Sequence, residues 1–532
     1  MSSNRCTRSV RWFWFVFACF SSVGLLQAQC RFDRTKHTSA VPESFGWFGH
    51  SVAADADVAV VGFVFGDTGV FQGGEAQVYR RSGDTWNLEQ ILVPASLQQG
   101  DYFGYRAAIR GNVIAITAAS DDQGGADCGA VYVFRHDGSS WIEEAKLVPS
   151  DIGPGRAFGD SLAVGDDVIL AGAPRDDELG TDSGAAYFFS WDGASWSQDL
   201  KLASPDVDAF DLFGSGVDLD GADVAAIGSS QDQDVTVGRG AVFLFQRQAG
   251  VWTFWQKLEA STAGQFSQLG ASVALDGNWL VAGDPLDIPG GTFFGGSASL
   301  YELDGGQWTF RQKLRAAQPR SFGYFGTAVD ISGDRVLCGE PNGSGVPIGG
   351  AYAYRNQGGH FLLERRLASA NPDEADDFGR TLAIAGDQIW VGASDSNESG
   401  LMGSGAAYVF ERDPISLELL GTPSGGQSIQ YRVSEATGLA WVLLSCTGVS
   451  GGLNLPNDPR DVPLTFDACT SFGLTVSPIF QGTVDAAGVA LTPLHTFPSV
   501  NAGIRLYASA VTVNLGSGAF ESVLCPITYQ TQ

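Results

Sequence analysis

Carboxylates are the residues of this chain best suited by type and spacing to do chemistry. Asp121 and Asp122 with Asp127, then Asp176, Asp177 and Glu178 with Asp182, Asp232 with Asp234, and Asp395 with Glu398 form short acidic clusters. Two further groups, Asp206, Asp208 and Asp211, and Asp373, Glu374, Asp376 and Asp377, run up to a Phe-Gly pair. Grouped carboxylates can ligate Ca²⁺, which takes roughly six to eight oxygens. The calcium candidates are Asp121, Asp122, Asp176, Asp177, Asp182, Asp232, Asp234 and Asp395. Two acids at the right separation can also cleave a glycosidic bond. The plainer account is turn chemistry, since Asp hydrogen-bonds its own backbone.

Other chemistries have less to stand on. Gly448-Val449-Ser450-Gly451-Gly452 fits G-x-S-x-G but lies in a Gly-rich stretch, without the strand-to-helix elbow that exposes a nucleophile. His37, His50, His136, His360 and His495 are scattered, with no partner at metal or triad spacing. No Cys-x-x-Cys or Cys/His spacing suggests structural zinc. Cys446 and Cys469 are the candidate disulfide. Trp86, Trp141, Trp196, Trp252 and Trp308 recur at one repeat position, as residues packing between units would. Sugar stacking is the alternative, and only exposed rings would support it.

The elements that must position these residues come from an internal repeat. Its clearest copy is FGDSLAVGDDVILAGAPRDDELGTDSGAAYFFSWDGASWSQDLKL, Phe158 to Leu202. Phe-Gly returns at Phe48, Phe103, Phe213, Phe325 and Phe378, with Leu269 in the Phe place, at steps of 53 to 56 residues. Within a copy, Ser161–Val164 is short and apolar, and Gly165-Asp166 turns the chain. Val168–Gly172 is continuously apolar, as a strand covered on both faces should be. An Asp/Gly-rich loop leads to an aromatic strand, and after Asp192-Gly193 Trp196, Gln198, Leu200 and Leu202 alternate along a fourth strand. Four antiparallel strands repeated radially make a propeller.

Eleven residues before each later Phe/Leu-Gly stands a Leu: Leu92, Leu147, Leu202, Leu258, Leu314 and Leu367. A basic residue precedes all but the first of them. The same offset from Phe48 lands on His37, after Lys36, while the last repeat ends at Phe410 without a closing strand. The segment near 34–38 is therefore expected to supply the fourth strand of blade 7 and to cover edges otherwise left bare. In such a blade the 1–2 and 3–4 turns share one face, and the 2–3 loop and the inter-blade connection share the other. The 1–2 turns are minimal and the 2–3 loops long, so binding residues are expected on one elaborated face.

FGDSLAVGDDVILAGAPRDD, FGTAVDISGDRVLCGEPNGS and FGRTLAIAGDQIWVGASDSN resemble the FG-GAP repeats of integrin α subunits and of many secreted bacterial proteins. The resemblance covers 32–412 and implies a seven-bladed propeller and adhesion or extracellular recognition. Its copies vary: Thr117-Ala118-Ala119 stands where Gly-Ala-Pro is expected. Integrin-type propellers also hold calcium in Asp-x-Asp-x-Asp-Gly hairpins between strands 1 and 2. Here those turns are too short, and the sites do not carry over.

The fold class is therefore all-β: a seven-bladed propeller over 31–412, then a small C-terminal β-sandwich over 415–532. Residues 1–28 read as a signal peptide: Arg5, Arg8 and Arg11, an apolar run, and Ala28 at the cleavage position. No later stretch is long and apolar enough to span a bilayer. With 59 acidic against 31 basic residues, the net charge of −28 disfavours nucleic acid. The expectation is a monomeric protein, secreted or attached to the cell envelope, that binds an extracellular protein or polysaccharide without catalysis, with calcium as the cofactor to test. An extracellular carbohydrate-active enzyme and a structural envelope protein are the alternatives.

Overall fold

The computed structural model describes residues 34–410, apart from 68, 84, 233–238, 261–266, 342–348, 370–375 and 399, and the backbone of strands between 416 and 530. It divides the chain into Phe32–Arg412, and Met1–Arg31 with Asp413–Gln532.

The first unit consists of seven four-stranded antiparallel sheets. Blade 3 is representative, with strands Ser161–Val164, Val168–Ala173, Ala185–Trp191 and Trp196–Leu202 in spatial order. Its second strand, VILAGA, is buried along its whole length. Strand 3 is buried over Ala185–Phe189 and half-buried at its end. In the last blade the order is Arg34–His37, Ala406–Phe410, Gln388–Ala393 and Leu382–Ala385. Arg34 pairs with Phe410 and His37 with Ala407, the register in which Leu202 pairs with Ala186. His37 stacks on Trp390 at 5.2 Å and meets Tyr79 edge-on at 4.9 Å. Burial there pushes its imidazole down to about 4, so a neutral ring fills the place that Leu takes elsewhere.

The core lies between blades. Seven apolar clusters each join neighbouring blades, and the last links blade 7 to blade 1 through Trp390, Phe48 and Trp86. Each Phe of Phe-Gly, and Leu269, is fully buried. Burying one such side chain contributes about 1.5–3 kcal/mol. Phe158 packs edge-on against Tyr187 at 5.5 Å.

The Gly of Gly-Ala-Pro sits where two blades touch backbone to backbone. A Cβ at Gly172 would stand 2.0 Å from the Gly214 carbonyl oxygen of the next blade. Thr117 takes this place in blade 2 and donates its hydroxyl to the Gly159 carbonyl at 2.9 Å, so a hydrogen bond replaces close contact.

In the second unit, Ser416–Leu420 pairs antiparallel with Ser428–Ser434, and Leu439–Ser445 with both Ile479–Thr483 and Arg505–Val513. Packing of these strands as a sandwich, the Cys446–Cys469 pairing, Ser450 and the leader 1–28 lie outside the described residues. The helical turn Pro289–Gly291 is the only helix among the described residues.

Candidate functional site

Strand connectivity divides the propeller into two unequal faces. The 1–2 turns hold two or three residues, such as Gly111-Asn112 and Gly277-Asn278, whereas the 2–3 loops hold nine to twelve. Inter-blade connections dock on the 2–3 loop of the blade before them. Phe210 and Leu212 donate their N–H groups to the Thr181 and Asp182 carbonyls at 2.8 and 3.1 Å. Phe322 and Tyr324 bond Phe293 and Phe294 in the same way, and Phe45 and Trp47 bond Met402 and Gly403. Loops and connections thus form one continuous surface.

Most acids of that surface are already engaged. Asp121 and Asp176 are buried and face Lys146 at 2.6 Å and Lys201 at 3.1 Å. Tyr132 and Tyr187 donate their hydroxyls to the same carboxylates at 3.1 and 3.2 Å. Asp232 faces Lys257 at 2.8 Å, and Asp287 faces Lys313 at 2.9 Å. In blade 7 the basic place falls to Lys36, paired with Glu398. The Lys of each Lys-Leu thus neutralises an acid opening the 2–3 loop. Burial lowers the Lys201 pKa, but bonds to Glu178, Tyr187 and Asp176 outweigh it and leave the ammonium above its usual range.

The remaining calcium candidates cap turns or stand apart. Asp122 accepts the Asp127 N–H at 2.8 Å, and Asp177 accepts the Asp182 N–H at 2.7 Å while pairing with Arg156 at 2.6 Å. Asp395 is exposed, and Asp234 lies outside the described residues. Among the described residues no three His, Cys, Asp or Glu side chains group so as to hold a metal ion. Asp121, Asp176, Asp232 and Asp287, one in each of blades 2–5, each pair with a lysine.

Of the acids preceding Phe-Gly, Asp211 and Asp376 are buried, whereas Asp206 and Asp208 are exposed. Asp206 pairs with Lys257 at 2.6 Å, and buried Asp211 accepts the Asp208 N–H at 2.6 Å. Burial and the neighbouring Asp232, Asp208 and Asp206 push Asp211 up to about 6. Asp376 is also buried and is raised to about 6, chiefly by that burial. Asp373 and Glu374 lie outside the described residues.

Near the inner end of this face His50, Tyr105, Arg106 and Asp160 come together from blades 1, 2 and 3. His50 Nδ1 lies 3.2 Å from the Tyr105 carbonyl, and Arg106 donates to the Asp160 carbonyl at 2.8 Å. Burial, with Arg106 and Arg380 nearby, pushes His50 down to about 3. A ring held neutral this firmly is a poor proton acceptor in neutral solution.

The recurring tryptophans pack between blades. Trp86, Trp141, Trp252 and Trp308 are buried, and Trp196 donates to Glu144 of the previous blade at 2.9 Å. The exposed rings of the loop-rich face are others: Phe45, Trp47, Phe71, Phe210, Phe293 and Phe322. Sequence reasoning missed them. The available signal was the third residue before Phe-Gly, which is Phe45, Phe210 and Phe322 in copies 1, 4 and 6 but Gly100 and Gly155 in copies 2 and 3.

Four stretches, 86–134, 141–189, 196–245 and 362–410, match the FG-GAP repeat family. This is an FG-GAP repeat propeller. The first three matches start at the strand-4 Trp of one blade and end in strand 3 of the next, so the FG-GAP unit spans a blade boundary. No curated protein matches the chain. Among solved structures, uncomplexed Pyrococcus horikoshii acylaminoacyl peptidase is similar at 10% identity with a TM-score of 0.39, over 74% of this chain and 59% of that one. The chain spans less than two thirds of that structure, and no activity follows from so distant a likeness.

Proposed function

We propose that this FG-GAP propeller is a secreted or envelope-attached binding protein whose loop-rich face recognises an extracellular partner, protein or polysaccharide, without catalysis. The asymmetry between the two faces supports this reading above all else. Long loops, docked connections and unsatisfied aromatic surface gather on one side, while the other is trimmed to minimal turns. A rigid scaffold with one elaborated face is a common arrangement for recognition. No helix among the described residues is long and apolar enough to cross a membrane.

The test is a screen of the full chain against glycans and extracellular proteins, scoring retention and turnover separately. Retention that falls on substituting loop residues such as Leu179 and Phe71, but not Asn112 or Asn278 of the minimal turns, supports the reading. Turnover of a retained glycan replaces it with the carbohydrate-active enzyme.

A further inference from the structure

We infer that Arg106 and Arg380 form a binding site for a small monocarboxylate, where the first strands of the blades begin on the loop-rich face. The inference goes beyond the partner proposed for that face and does not depend on it. First strands of neighbouring blades touch all the way round the axis. The second residue after each Phe of Phe-Gly, or after Leu269, therefore takes the same place in a ring of seven. Blades 7, 1, 2 and 3 put Arg380, His50, Tyr105 and Asp160 there, whereas blades 4, 5 and 6 put only Ser215, Ala271 and Thr327. One arc of the ring is thus large and polar, and the other leaves room.

The scaffold does not require Arg106. At its place, one residue further on, Ser51, Ser161, Ser272 and Thr381 donate their hydroxyls to the Gly carbonyl of the next blade's Phe-Gly, at 2.7 to 3.2 Å. Gly216 and Ala328 fill it in blades 4 and 6. In blade 2 Thr117 makes that bond instead, to Gly159, and position 106 is released to hold a guanidinium. Arg106 lies over the Tyr105 ring at 4.6 Å and donates its Nε–H to the Asp160 carbonyl at 2.8 Å, which fixes its plane. Its Nη1 donates to the Tyr105 carbonyl at 3.3 Å, and its Nη2 stands 3.9 Å from the Asp160 carboxylate. Arg380 stands 3.5 Å from Asp377. The loop lysines hold their acids at 2.6 to 3.1 Å, so neither arginine is spent to the same degree. Both side chains remain reachable, 35% and 44% exposed. They flank His50, whose proton affinity both lower.

Planar guanidinium forks match carboxylate and phosphate. Charge chooses between these two. Asp160 and Asp377 already balance Arg106 and Arg380, so a carboxylate adds one charge to a neutral group and a phosphate monoester about two. In a chain of net charge −28 the smaller addition is favoured. Trp47, parallel to His50 at 5.9 Å and 36% exposed, offers an apolar wall to the rest of the acid.

Calorimetric titration of the full chain with phenylacetate, phenylacetamide and phenyl phosphate tests this. Phenylacetate is expected to bind about tenfold more tightly than either of the others. Arg106→Gln and Arg380→Gln should each weaken it about tenfold, as the loss of a charged hydrogen bond does. Arg380 is exposed, and its variant should melt like wild type, which separates lost binding from lost fold. Arg110→Gln, at the far end of the strand that holds Arg106, should leave binding unchanged. Equal binding of acid and amide, preference for phenyl phosphate, or a double Arg106→Gln, Arg380→Gln variant that binds like wild type overturns the inference.

Discussion

Lys201 shows how single side chains are committed to holding the loops. Its ammonium lies 3.1 Å from Asp176, 3.2 Å from Asp151 and 5.2 Å from the centre of the Tyr187 ring. Removing it leaves the buried Asp176 carboxylate with the Tyr187 hydroxyl and the Glu178 N–H as its neutral donors. Lys201→Met is expected to cost about 2–4 kcal/mol, read as a shift in the urea midpoint. Lys201→Met combined with Asp176→Leu should recover most of that loss, since an apolar pair of similar volume leaves no buried charge unpaired. If the single variant unfolds at the wild-type midpoint, the pair does not hold the loop. Gly172 is committed differently, through an absent side chain. Gly172→Ala places a methyl 2.0 Å from the Gly214 oxygen and must push two blades apart. The expected loss is about 3 kcal/mol in the same measurement, and wild-type stability would refute the close-approach account.

At the scale of elements, the strand Arg34–His37 is the one whose partner is most remote in sequence. It covers the outer edge of Ala406–Phe410, with Lys36 placed over the Tyr408 ring and paired with Glu398. Deleting 34–38 bares that edge and removes His37 from its contact with Trp390. The expected result is a melting temperature lower by about 10 °C or more, with a tendency to associate through the open edge. Unchanged melting would mean that blade 7 stands on three strands. This element was legible in the sequence because an offset of eleven residues relates every Leu of strand 4 to the next Phe-Gly, and His37 obeys the offset without being Leu. Blade order and loop length were legible for the same reason, since any feature shared by all copies stands out against a fixed period. The partner of each loop acid was not. The recurring basic residue and the recurring Asp are both visible, yet only the folded sheet brings Lys146 to Asp121 and Lys257 to Asp232. Phe45, Phe210 and Phe322 escaped for the opposite reason. They differ from other copies at their position, and periodicity says nothing of exposure.

Across the whole molecule, charge couples the blades to pH. Asp218 and Asp330 lie on the inner strands of blades 4 and 6, each accepting a backbone N–H of the following blade, from Leu275 at 2.6 Å and Ile384 at 2.7 Å. Burial pushes both carboxyls up to about 7, with Asp220 adding to the effect on Asp218 and Asp218 and Asp276 to that on Asp330, while Arg110 opposes it at Asp218. In the unfolded chain the same groups titrate near 3.8. Between these values the folded protein keeps protons that the unfolded chain has lost, so the stabilisation is full below 3.8 and lost as pH rises through about 7. Asp284, raised to about 6 by burial, acts in the same direction. Asp137 acts oppositely: bonds from Ser140 and Ser139 hold it at about 2, and its contribution fades only in stronger acid. His37 and His50, held down to about 4 and about 3 by burial, also oppose the raised carboxyls up to about pH 6.5. Asp211 and Asp376, raised to about 6, join the other carboxyls and outweigh them, so the melting temperature is expected to fall from about pH 4 to about pH 7. A net charge of −28 adds mutual repulsion with the same sign, but salt screens exposed charges far more than buried ones. Melting in about 1 M salt should therefore retain the slope due to the buried carboxyls. Asp218→Asn with Asp330→Asn keeps an oxygen to accept both N–H groups and removes the titration. This double variant should flatten the high-salt profile and melt higher than wild type near neutral pH. A double variant with the wild-type slope in high salt would assign the pH dependence to other carboxyls, such as Asp284, and not to Asp218 and Asp330.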